Sequence, residues 1–125
     1  MKKTMYICGK ISADTRDQEI KNIYGFFRKA EELKKLNIKA YNPAHHEIPG
    51  GDWAYYLSRD LKWMYEHRKK IMMYVLPNHE GSRGLELELA FAKELGIPIY
   101  YEPTPETQYT LTEKGISETN KLPKM

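Results

Sequence analysis

The stretch "KIMMYVLPNHEGSRGLELELAFAKELGIPIYY", Lys70 to Tyr101, decides the fold. It opens as an apolar run with no polar alternation, the mark of a strand buried on both faces. Asn78 to Gly84 is polar and broken by glycine, which reads as a turn. From Leu85 the apolar residues recur at helical spacing, and Ile97 to Tyr101 is again short and apolar. Strand, helix and strand in that order form a crossover unit, and such a unit joins parallel strands.

The rest of the chain repeats the theme. Thr4 to Cys8, "TMYIC", is a short buried strand that stops at Gly9. Ser12, Asp14 and Thr15 are each suited to cap the helix that follows. In that helix Ile20, Ile23, Tyr24, Phe27, Ala30 and Leu33 form an apolar stripe, with Gly25 as its weak point. Asn37 stops it, and Ile38 to Tyr41 makes a second strand ended by Pro43. After the loop "HHEIPGG", Asp52 caps a second helix from about Trp53 to His67. Trp53, Leu57, Leu61 and Met64 form its apolar stripe; Tyr56, Asp60 and Trp63 form a neighbouring one. The expectation is a doubly wound, flavodoxin- or Rossmann-like α/β fold. Its parallel sheet has four to five strands and carries helices on both faces. Residues 1–102 make this one domain, and 103–125 form a polar C-terminal tail.

Composition narrows the function. The chain has 125 residues, one cysteine and a net charge of +3. One cysteine excludes an intramolecular disulfide and a cysteine-cluster metal site. The mild charge, without a long basic run, argues against a nucleic-acid polymer and is compatible with an anionic small molecule. No apolar run is long enough to span a bilayer, and "MKKTMYICGK" is too short for a signal-peptide core, so a cytoplasmic protein with no membrane partner is expected. His45 and His46 are adjacent and diverge, which gives no metal site. The P-loop, G-x-G-x-x-G and G-x-S-x-G signatures are absent, and no cofactor is expected.

In doubly wound folds ligands sit beyond the carboxyl ends of the strands, where strand order reverses. That rule selects the loops from Gly9 to Thr15, Asn42 to Asp52 and Pro77 to Gly84. Gly9 lets backbone amides approach a ligand, and Lys10 and Ser12 add a charge and a hydroxyl. Ser82, Arg83 and Gly84 stand at the mouth of the third helix, where free N–H groups favour an anion. Glu88 follows about one and a half turns later and is suited to act as nucleophile or base. Glu86, two residues away, points elsewhere. Asp60, flanked by aromatics, is a candidate proton donor. The plain alternatives are a solvated helix charge for Glu88 and an exposed or ion-paired acid for Asp60. Cys8 reads as a small buried residue.

Tyr6-Ile7-Cys8-Gly9-Lys10-Ile11-Ser12 resembles the opening of the nucleoside 2-deoxyribosyltransferase superfamily, which includes the 2'-deoxynucleoside 5'-phosphate N-hydrolases. Asp60-Leu61-Lys62-Trp63 is similar to the Asp-Leu-x-Trp segment of those hydrolases. Ser82-x-Gly84, Glu88, Ala92, Gly96 and Pro98 resemble the nucleophile helix and the strand after it. Asn42-Pro43-Ala44, Trp53 and Ser82-Arg83-Gly84 look closest to a small bacterial and phage branch. The resemblance implies Glu88 as the nucleophile on the anomeric carbon, Asp60 as the acid beside the leaving base, and Tyr6 near the sugar. It places Ser82 near the 5' end and the turn after Gly9 around sugar and phosphate; Trp53 would wall the site. It further implies a homo-oligomer in which a neighbour's tail completes the site, with Tyr109, Ser117 and Asn120 as candidates. Departures are Ala13 and Asp14 in place of glycine, Lys69-Lys70 before the third strand, and Asn78 and Glu80 in the loop after it. The expected activity is hydrolysis of, or deoxyribosyl transfer from, a nucleoside or nucleotide. The alternatives are a non-catalytic domain that senses or sequesters a nucleotide-derived ligand, and a structural α/β domain.

Overall fold

The computed structural model describes residues 3–46, 52–77, 79 and 81–103. Four strands, β1 (Thr4–Cys8), β2 (Ala40–Tyr41), β3 (Ile71–Val75) and β4 (Ile99–Tyr101), form one parallel sheet in the order β2-β1-β3-β4. Three helices, α1 (Arg16–Lys35), α2 (Trp53–Glu66) and α3 (Arg83–Leu95), connect them, and a 3-10 turn spans Pro43–His46. The doubly wound α/β expectation holds, with four strands among the described residues. β2 and β4 are shorter than the apolar runs that announced them. Both lie at sheet edges, where one side of each strand lacks a ladder partner among the described residues.

Alternation along the strands divides the core. Tyr6 and Cys8 of β1 and Ile71, Met73 and Val75 of β3 face one way, against Met64 of α2 and Leu85 and Ala92 of α3. Met5 and Ile7, with Tyr74 and Leu76, face the other way, against Phe26 and Leu33 of α1. Helices therefore cover both faces, which is why β1 and β3 carry almost no polar side chains. At roughly 25 cal/mol per Å² of buried apolar surface, each large side chain in these layers contributes about 1.5–3 kcal/mol.

The helix ends follow the sequence signals. Thr15, rather than Ser12 or Asp14, caps α1, its side chain accepting from Gln18 N at 3.1 Å. Asn37 takes the left-handed conformation just beyond that helix, at φ 62°. Asp52 caps α2 by accepting from Ala54 N at 3.0 Å, and Ser82 caps α3 by accepting from Leu85 N at 3.3 Å. Gly96 ends α3 at φ 72°, a conformation that costs a side chain with a Cβ roughly 1 kcal/mol or more. Among the described residues no helix is long and apolar enough to cross a membrane.

Candidate active site

The chain leaves β1 for α1 on one side of the sheet and leaves β3 for α3 on the other. Strand order thus reverses between β1 and β3, and a ligand site is expected at their carboxyl ends. Below that edge, on the face covered by α2 and α3, Tyr6 meets Glu88, and Asp60 lies near enough for its charge to act on Tyr6.

Tyr6 comes from the middle of β1 and is fully buried. Its Oη donates to Glu88 Oε2 at 3.4 Å. Glu88 is half-buried, and the reason is its register on α3. It lies three residues after Leu85 and four before Ala92, both buried, so it shares their face and turns toward the sheet. Glu86, two residues earlier, is exposed, as its spacing required.

Asp60 of α2 is only 4% exposed. It precedes buried Met64 by four residues and so shares that inward stripe. Arg59 reaches it with Nη2 at 3.1 Å and Nε at 3.3 Å, and the same Nη2 donates to the Pro43 carbonyl at 3.4 Å. A guanidinium held against a buried carboxyl group makes a charge-assisted hydrogen-bonded pair. The pair fixes the Asp60 carboxyl group at this point of α2.

The electrostatics tie the three together. Burial pushes the Tyr6 phenol well above its ordinary value, and the charges of Glu88 and then Asp60 push it further. Tyr6 is therefore a neutral O–H donor throughout the physiological range. Cys8, behind it on the same face, is raised by burial and by Glu88, and its thiol donates to the Tyr74 carbonyl at 3.4 Å. It is a buried packing residue, not a thiolate nucleophile.

Aromatic rings close the cluster. Tyr41 lies beside Tyr6 in the sheet register and stacks on Trp63 at 3.9 Å between centroids. Trp63 stacks in turn on His67 at 4.0 Å, and Tyr6 lies 5.6 Å from Trp63. Asn42, the next residue after β2, is 5% exposed and accepts from Ala44 N at 2.9 Å. Its Nδ2 is the one buried side-chain donor without an acceptor among the described residues. Such a group costs about 1–3 kcal/mol unless something meets it.

The other sequence candidates fall around this cluster. Gly9 and Lys10 follow β1, and Lys10 Nζ lies 3.7 Å from where a Cβ on Gly81 would stand, next to the turn into α3. Ser12 is exposed and makes no contact that joins it to Tyr6 or Glu88. Ser82 is committed through its oxygen to capping α3, which leaves its O–H free to donate. Arg83 is exposed and Gly84 half-buried at the first turn of that helix. Trp53 is the first residue of α2, and its side chain lies outside the described residues. Asn78, Glu80, Tyr109, Ser117 and Asn120 also lie outside them. Among the described residues no group of three or more His, Cys, Asp or Glu side chains is placed to hold a metal ion.

Sequence reasoning missed Arg59, Tyr41 and the free donor of Asn42. Arg59 adjoins Asp60 in sequence, and adjacent helix residues do not ordinarily share a face. Only the length of the guanidinium arm brings it back. Tyr41 was legible as the last residue of the second strand, but its partner across the sheet was not.

These observations define a doubly wound α/β domain with a buried tyrosine, two carboxylates and stacked aromatics under the carboxyl edge of its sheet. The chain belongs to the family described as a domain of unknown function, DUF4406, whose profile matches residues 3–101. No curated protein matches the chain.

Proposed function

We propose that the protein is an N-glycosyl enzyme acting on a nucleoside or nucleotide, with Glu88 as nucleophile. The observation that carries this reading is the meeting of Tyr6 and Glu88 at 3.4 Å, with the buried Asp60 charge close enough to act on the same phenol. Cleaving an N-glycosidic bond develops positive charge at the anomeric carbon, and a carboxylate beside it stabilises that charge. Glu88 Oε attacks this carbon, and the base departs with the electron pair of the broken C–N bond. Water, or a second base, then displaces the glutamate ester and restores the carboxylate. Water makes the protein a hydrolase; a second base makes it a transferase.

Tyr6 holds Glu88 through its O–H and so orients the carboxylate toward the sugar. Asp60, held by Arg59, is the acid beside the base: it gives the departing nitrogen its proton, or positions the base while solvent supplies that proton. The Asn42 amide is a donor that a substrate carbonyl would satisfy. By resemblance, Gly9, Lys10, Ser12, Ser82, Arg83 and Gly84 would border the sugar and its 5' end. The similarity of these segments to the nucleoside 2-deoxyribosyltransferase superfamily supports the same assignment, including a homo-oligomer.

The test is release of free base from a panel of deoxynucleosides and their 5'-monophosphates. Release by the native protein, lost in Glu88→Ala with substrate binding retained, is expected. Binding without turnover across the panel would instead establish a sensor.

A further inference from the structure

A cleft of about 310 Å³ opens on the opposite side of the sheet, between α1 and the carboxyl ends of β1, β3 and β4. Neither Tyr6, Asp60 nor Glu88 lines it. Its floor is formed by Asn22 and Phe26 of α1 and by Leu76 and Pro77 after β3. Its rim carries Lys10, Lys21, Arg28 and Lys29 with the acids Glu32 and Glu102.

Lys29 is neutralised: its Nζ lies 2.5 Å from Glu102 Oε1 and 2.6 Å from Glu32 Oε2. Tyr74 Oη also donates to Glu102, at 2.7 Å, so that carboxylate is fixed in place. Arg28 lies 5.7 Å from the Tyr24 ring. Lys10 and Lys21 form no ion pair among the described residues. The rim therefore keeps an excess of positive charge after its acids are accounted for.

Gly25 supplies the second observation. It sits in the middle of α1, where glycine is the poorest helix former after proline. It lines the cleft, and a Cβ added there would meet nothing within 4 Å. Close packing therefore does not demand glycine at this position. What it does is leave the cleft wall bare where any other side chain would stand in the opening.

We propose that this cleft binds a phosphate monoester of sugar-phosphate to nucleotide size. Lys10, Lys21 and Arg28 receive the phosphate, Gly25 leaves the room, and Asn22, Phe26 and Leu76 meet the body of the ligand. A volume of about 310 Å³ lies at the lower end of small-molecule sites, which run from about 300 to 1,000 Å³. The cleft shares Lys10 with the edge assigned to the sugar, but none of Tyr6, Asp60 and Glu88 lines it, and its reading does not rest on theirs.

Ribose 5-phosphate is the probe, followed by amide chemical shifts of the full-length protein, with ribose and inorganic phosphate as controls. Saturable shifts at Lys21, Gly25 and Leu76 are expected with ribose 5-phosphate. Gly25→Leu should fill the opening, melt no lower than the native protein, and abolish those shifts. Lys21→Glu, an exposed change, should weaken binding about tenfold or more. Glu88→Ala should leave binding intact, so this proposal and the catalytic one fail separately. Shifts that never saturate, equal binding of inorganic phosphate, or undiminished binding by Gly25→Leu would each overturn it.

Discussion

Tyr6 and Glu88 stand 82 residues apart in the chain, and the phenol Oη of one lies 3.4 Å from the carboxylate Oε2 of the other. A strand presents the first and a helix packed on the sheet presents the second. Fixing the two in place requires the whole β1–β3–α3 layer, so their relationship reports on the fold as well as on the site.

Removing the phenolic hydroxyl tests that relationship. Tyr6→Phe keeps the buried ring and its packing on Trp63 and deletes only the donor. A net loss of about 1 kcal/mol in stability is expected, the ordinary worth of one hydrogen bond. Base release should fall roughly 10- to 100-fold, because Glu88 loses the group that orients it. Chemical denaturation and kinetics on one preparation check both.

The Arg59–Asp60 pair makes a sharper stability prediction. Arg59→Met removes the guanidinium that meets the buried Asp60 carboxyl group, and a loss of up to about 3–5 kcal/mol is expected. Asp60→Asn in the same chain should recover part of it, since no buried carboxyl group then lacks the guanidinium. A double-mutant cycle by urea unfolding measures the coupling. Strictly additive losses would show that the pair carries no coupling.

Asp60 marks the boundary of what the sequence disclosed. The buried runs of β1 and β3, the caps at Asp52 and Ser82, and the inward register of Glu88 with Leu85 and Ala92 are local patterns, and all could be read from one dimension. The partner of Asp60 could not, because Arg59 reaches it by folding a long side chain back past Pro43. The stacking of Tyr41 on Trp63 depends on how α2 lies across the sheet, which no local spacing encodes. The cleft beside Gly25 was likewise hidden. In sequence that glycine is only a poor helix former; against the fold it is a wall left open.

Alkaline pH should destabilise the protein through its buried phenols. Tyr6 is raised well above its ordinary 10.0 by burial, then by Glu88 and Asp60. Tyr74 is raised by burial, then by its hydrogen bond to Glu102. A group that holds its proton more tightly in the folded state contributes its full stability below the unfolded value. That contribution falls as pH rises above about 10 and is lost by the folded value. Each phenol should then cost about 1.4 kcal/mol per pH unit. Urea midpoints between about pH 8 and 11 follow the slope, which should flatten in Tyr74→Phe.

The glycosyl-transfer reading is tested most directly by trapping the ester it requires. Acid quenching during turnover, proteolysis and mass spectrometry should find a pentosyl adduct on the α3 peptide, located at Glu88 and absent from Glu88→Gln. Base release that persists in Glu88→Gln, with no adduct in the native protein, would contradict a covalent role for that carboxylate.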